Sequence, residues 1–138
     1  MQNDERAEER LAIVNIEKQV AYWQKGAEED WAVARHLLDR GNTRHGLFFI
    51  HLALEKALKA LICRHTQDLA PKDHNLVRLA EKAGLSPSRK QLDVLAETTA
   101  FNVEGRYPDP NAPLPTRTEI RHAVARAEEV FRWLIGLS

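Results

Sequence analysis

Residues 43–66 read TRHGLFFIHLALEKALKALICRHT. Leu47, Ile50, Leu54, Ala57, Leu58 and Leu61 fall three or four positions apart, the spacing that lines up one face of an α-helix. Thr43 can cap the start, and the segment is apolar enough for its helix to sit at the centre of a bundle. No other stretch supplies a rival signal. Sustained alternation of apolar and polar residues is missing, and neither Asn-Gly nor Asp-Gly occurs to turn a hairpin. The expectation is an all-α fold.

Upstream, Val20, Trp23, Ala27, Trp31, Ala34 and Leu38 form one apolar stripe on a helix from about residue 5 to 40, closed by Gly41-Asn42. Gly26 inside it either costs about 1 kcal/mol or marks a break. Downstream, Asp73 can cap a short helix carrying Leu76, Leu79, Ala80 and Ala83, stopped by Gly84. Ser86-Pro87 has the form of an N-cap followed by proline at the first helical position, starting a helix that runs through Leu92, Leu95 and Thr99 to about Phe101. Residues 102–116, NVEGRYPDPNAPLPT, hold four prolines and are expected to be non-helical; connections this long are uncommon unless functional. Thr116 and Glu119 make a capping box for a last helix with Ile120, Val124, Ala127, Phe131 and Leu134 facing inward. The sum is a five-helix up-and-down bundle with two long antiparallel helices, one domain over 1–138.

The 138 residues are enough to bury a core without staples, and 43% hydrophobic with 29% charged residues is ordinary for a globular chain. Twenty basic and twenty acidic side chains give no net charge, so binding to nucleic acid must come from a local patch. The single cysteine, Cys63, excludes an internal disulfide and suits a reducing compartment. No run approaches the roughly 20 apolar residues of a membrane span, and the charged start is unlike a secretory leader. A cytoplasmic location is expected. Cys63 and His65 are the nearest approach to a metal pair and point to different helix faces, so neither metal nor cofactor is expected.

Three patterns in order resemble the HEPN family (higher eukaryotes and prokaryotes nucleotide-binding domains). The first is Tyr22-Trp23, Ala27, Asp30, Ala34, Leu37-Leu38 and Gly41. The second is FFIHLALEKALKALI at 48–62, followed by His74 of PKDHNLVRL. The third is Arg106-Tyr107-Pro108 before the last helix. The resemblance covers about residues 20–135, so residues 1–20 read as an N-terminal extension of the first helix. It implies a helical bundle that commonly forms a homodimer, association with nucleotide or RNA, and pairing with a small nucleotidyltransferase, often as toxin and antitoxin. Some branches are metal-independent ribonucleases using Arg-x4–6-His near the dimer seam.

That motif occurs as Arg40…His45, Arg44…His51 and Arg117…His122. Cleavage needs a group that moves a proton near neutral pH and a cation to hold the phosphate. Arg117 and His122 are the candidate catalytic pair, against the plainer reading of two solvated residues on a surface helix. Where the catalytic branches carry the motif, this chain has Asn102, Arg106 and Tyr107. The arginine can fork to phosphate and the ring can stack on a base, or the pair can simply pack the loop. His51, Glu55 and Lys59 share one helical stripe. His51 and Lys59 can meet a ligand, or Glu55 and Lys59 can form an i,i+4 pair worth about 0.2–0.5 kcal/mol. Arg44, Lys56 and Arg64 read as solvated, and His74 as the start of the short helix. Two functions follow: a nucleotide- or RNA-binding module in which binding outranks cleavage, or a helical dimer that only docks a partner.

Overall fold

The computed structural model describes residues 2–106, 110–111, 113 and 115–138, with side chains described at 15–102, 110–111, 113 and 115–138. Five helices follow one another: α1 (Gln2–Asp39), α2 (Thr43–Thr66), α3 (Leu76–Lys82), α4 (Arg89–Arg106) and α5 (Arg117–Leu137). The described residues contain no strand. The all-α five-helix fold is thus the observed one.

The central segment behaves as its spacing requires. Ile50, Leu54 and Leu58 are fully buried, and α1, α3, α4 and α5 all pack on α2. Each such side chain contributes about 1.5–3 kcal/mol relative to exposure. Ile16, Val20, Ala27 and Ala34 are the buried stripe of α1, which passes Gly26 without a break. Gly26 gives room instead: a Cβ there would lie 3.0 Å from Cδ of Lys56. At the hairpin, Gly41 takes φ +81°, and a Cβ on Gly46 would meet Cγ of Leu38 at 2.6 Å. The two long helices close together because position 46 has no side chain.

Three boundaries differ from the sequence expectation. The cap of α3 is Asn75, whose side chain accepts from the Arg78 amide at 3.1 Å, and not Asp73. Asp73 is already engaged, accepting from the Asn75 amide and from both Nε and Nη2 of Arg78 at 2.9 and 3.0 Å. The Arg78 hydrogen bond holds the Asp73 carboxyl far below the usual carboxylate range. α4 begins at Arg89 and not at Pro87. Ser88 Oγ accepts from the Gln91 amide while Gln91 Oε1 accepts from the Ser88 amide, a reciprocal box that Ser86 does not make. Finally, α4 continues through residues 102–106, expected to be non-helical. Proline restricts itself and the residue before it, and the first proline of that stretch is Pro108, so the helix meets no such barrier before Arg106.

At α5, Thr116 accepts from the Glu119 amide at 3.1 Å, and Val124, Ala127, Phe131 and Leu134 are buried, with Ile120 at the edge. No helix of the described residues is long and apolar enough to cross a membrane.

Candidate functional site: a polar frame and an arginine-lined groove

Four polar side chains of α2 bind the bundle together. Lys56 Nζ reaches Asp30 Oδ2 of α1 at 2.7 Å, so this lysine is paired rather than solvated. Lys59 Nζ donates to Glu55 Oε2 at 3.1 Å and sits 5.2 Å from the Trp23 ring centroid, a cation–π distance. The other oxygen, Oε1, accepts from Nδ1 of His74 at 2.8 Å. The carbonyl of His74 accepts from His51 Nε2 at 2.8 Å, which places the His51 proton on Nε2. The loop between α2 and α3 is therefore tied down twice by His74, whose role is to fasten that loop and not to start the short helix.

The candidate contact residues are placed as follows. His51 is fully buried, Lys59 and Asn102 nearly so, and the first two face partners inside the bundle. Arg106 ends α4; its side chain and Tyr107 lie outside the described residues. Arg117 and His122 are both exposed on α5. Five residues apart at 3.6 per turn, they point about 140° from each other. Arg117 lines a groove that His122 does not.

That groove, about 1070 Å³, lies between the C-terminal end of α1 and α5. The two helices run antiparallel across it, with Arg35 opposite Glu128 at 3.9 Å and Trp31 stacked on Phe131 further along, centroids 4.7 Å apart. Arg35, Arg40, Arg117, Arg121 and Arg132 line it, together with Asp39, Glu128 and Glu129. Arg132 also leans on Glu128, at 3.3 Å, and Glu129 is 3.9 Å from Lys90. Arg40, Arg117 and Arg121 make no ion pair among the described residues, and all three are exposed. Arg117 and Arg121 are one turn apart on α5, a spacing readable in sequence. Arg40 comes from the far wall, so no local pattern could have joined it to them.

Cys63 is buried beside Ala60 and Val20, and burial pushes its thiol up. Among the described residues no group of histidine, cysteine or carboxylate side chains is arranged to hold a metal ion.

The molecule is thus an all-helical bundle whose internal polar contacts join Trp23 and Asp30 of one segment to the Glu-Lys-Ala-Leu-Lys run of another and to His74. The HEPN domain model matches residues 20–137, and the chain belongs to the HEPN family. Two solved structures share its architecture. TT1696 from Thermus thermophilus superposes with a TM-score of 0.69 at 21% identity, over 84% of this chain and 95% of that one. ST0689, an archaeal HEPN homologue, gives 0.66 at 22% identity, over 86% and 96%. At these identities the likeness concerns the fold. No curated protein matches the chain in sequence.

Proposed function

We propose that this chain is a nucleotide- or RNA-binding HEPN protein that holds its ligand in the α1–α5 groove and acts with a small nucleotidyltransferase partner. The observation that carries the binding reading is the trio Arg40, Arg117 and Arg121. Of the arginines away from the groove, Arg78 pairs with Asp73, Arg126 with Glu97 and Arg89 with Asp93, while Arg44 and Arg64 are exposed, in no ion pair among the described residues, and do not line it. Three guanidiniums without an acid among the described residues, converging on one groove in a chain of zero net charge, fit a phosphate-bearing ligand. Arg106 and Tyr107 remain in the proposal as a second grip. Binding is favoured over cleavage because Arg117 and His122 face apart. The nucleotidyltransferase partner, the toxin–antitoxin setting and the cytoplasmic location rest on the family resemblance, as does treating 1–138 as one domain with an extended first helix.

Fluorescence anisotropy with a labelled single-stranded RNA tests the reading. Arg117→Ala and Arg121→Ala should each weaken binding by about tenfold and flatten its salt dependence, with helicity unchanged. RNA should stay intact with wild type and with His122→Ala alike. Absence of binding by the wild type would leave a pure docking module in its place.

A further inference from the structure

We propose that the end of the groove at the α1–α2 turn is a polyphosphate subsite, one that takes the linked phosphates of a nucleoside triphosphate or of a 5′-triphosphorylated RNA rather than following a strand along its length. This rests on the phosphate-binding reading of the groove and narrows it to one chemistry.

Charge is graded along the groove. Towards its inner end Arg35 and Arg132 both lean on Glu128, and Glu129 faces Lys90, so the cations there are matched. At the turn end stand Arg40, Arg117 and Arg121, with no ion pair among the described residues, against one carboxylate among the described lining residues, Asp39. A strand laid along the whole groove would pass the matched stretch at Glu128 and Glu129 and gain no charge pairing there. A compact anion at the turn end would meet only the surplus. Its size follows from spacing: Arg117 and Arg121 are four residues apart, about 6 Å along the axis, and Arg40 reaches in from the other wall. Three forks spread over that span suit two or three linked phosphates better than one.

The backbone at this end points the same way. Arg117 is the first residue of α5 and Thr43 the first of α2, so two helix N-termini reach the same pocket end. The start of α2 is in electrostatic conflict with itself. Its first turn holds no acid, it carries Arg44 and His45 instead, and its N-cap Asn42 makes no side-chain cap hydrogen bond. A bound polyanion relieves that conflict. Beside the arginines, Leu38, Ile120 and Val124 give the groove an apolar floor on which a base or ribose can rest.

Titration calorimetry with inorganic triphosphate and inorganic phosphate, and competition of each against labelled 5′-hydroxyl RNA, test this. Triphosphate should bind at least about tenfold more tightly than phosphate and displace the RNA. Arg40→Ala and Arg117→Ala should each cost about tenfold in triphosphate affinity, with the circular dichroism of both variants unchanged. ATP and a 5′-triphosphate oligonucleotide then show which source is preferred, by whichever binds more tightly. If RNA binds through Arg117 while triphosphate is no better than phosphate, the subsite is overturned and the RNA reading stands. Triphosphate binding that survives both substitutions would put the anion elsewhere and overturn the subsite too. If nothing binds, both readings fall together.

Discussion

Glu55 uses both of its carboxylate oxygens inside the bundle, with Lys59 on one and His74 on the other. Its side chain is 6% exposed, so solvent cannot replace those partners. Removing one member of a buried pair costs more than the pair itself contributes, because the remaining charge is stranded. Glu55→Ala leaves Lys59 buried against Trp23 without a counter-charge and removes one of the two ties on the α2–α3 loop, the His51 bond to the His74 carbonyl remaining. The expected loss is about 3–5 kcal/mol, read from the urea midpoint at constant slope. A loss below about 1 kcal/mol would show that water enters and takes over the carboxylate's role. The stripe His51–Glu55–Lys59 was visible from its four-residue steps. Its real partner, His74, was not, because nineteen residues separate it from Glu55 and only the chain's return brings them together.

Among the elements, α4 shows how a cap is chosen. Ser86 followed by proline has the right residue types, yet the box forms at Ser88 because Gln91 stands three residues later and can answer it. Ser88→Ala should therefore cost about 1 kcal/mol of stability, while Ser86→Ala should leave thermal unfolding unchanged. The reverse pattern in a melting experiment would restore the earlier start. The far end of α4 makes a related point. Composition marked 102–116 as irregular, but its prolines begin only at 108, and helix geometry persists to Arg106. Asn102 is accordingly a buried residue of a helix rather than part of a loop.

The whole molecule is expected to be a homodimer. Its three tryptophans do not demand this, since Trp31 stacks on Phe131, Trp23 packs beside Ile16 and Val20, and Trp133 packs against the main core. The exposed apolar residues are a better argument. Tyr22 (63% exposed) and Val33 (39%) lie eleven residues apart, hence on one face of α1, outside its core stripe. Lys25 and Glu29 lie between them, 3.9 Å apart and exposed. Two such faces meeting antiparallel about a two-fold axis set each lysine opposite the partner's glutamate and cover the apolar ends. Sedimentation at tens of micromolar should give twice the 15.8 kDa chain mass, and Tyr22→Glu should return it to the monomer. A wild-type monomer under those conditions would end the idea.

The helical class, the core face of α2, the cap at Thr116 and the family were all legible in the sequence alone. Each is written within one helical repeat or in an ordered set of local motifs, and the period of 3.6 residues converts such spacing directly into a face. The ion pairs that hold the bundle and the groove that faces solvent were not legible. Asp30 meets Lys56, Glu55 meets His74, and Arg40 shares a groove with Arg117 and Arg121 across separations that no local spacing encodes. Whether an arginine is engaged by a neighbouring acid or left over for a ligand depends on which helices lie side by side, and that is decided by how α1 and α5 settle on α2.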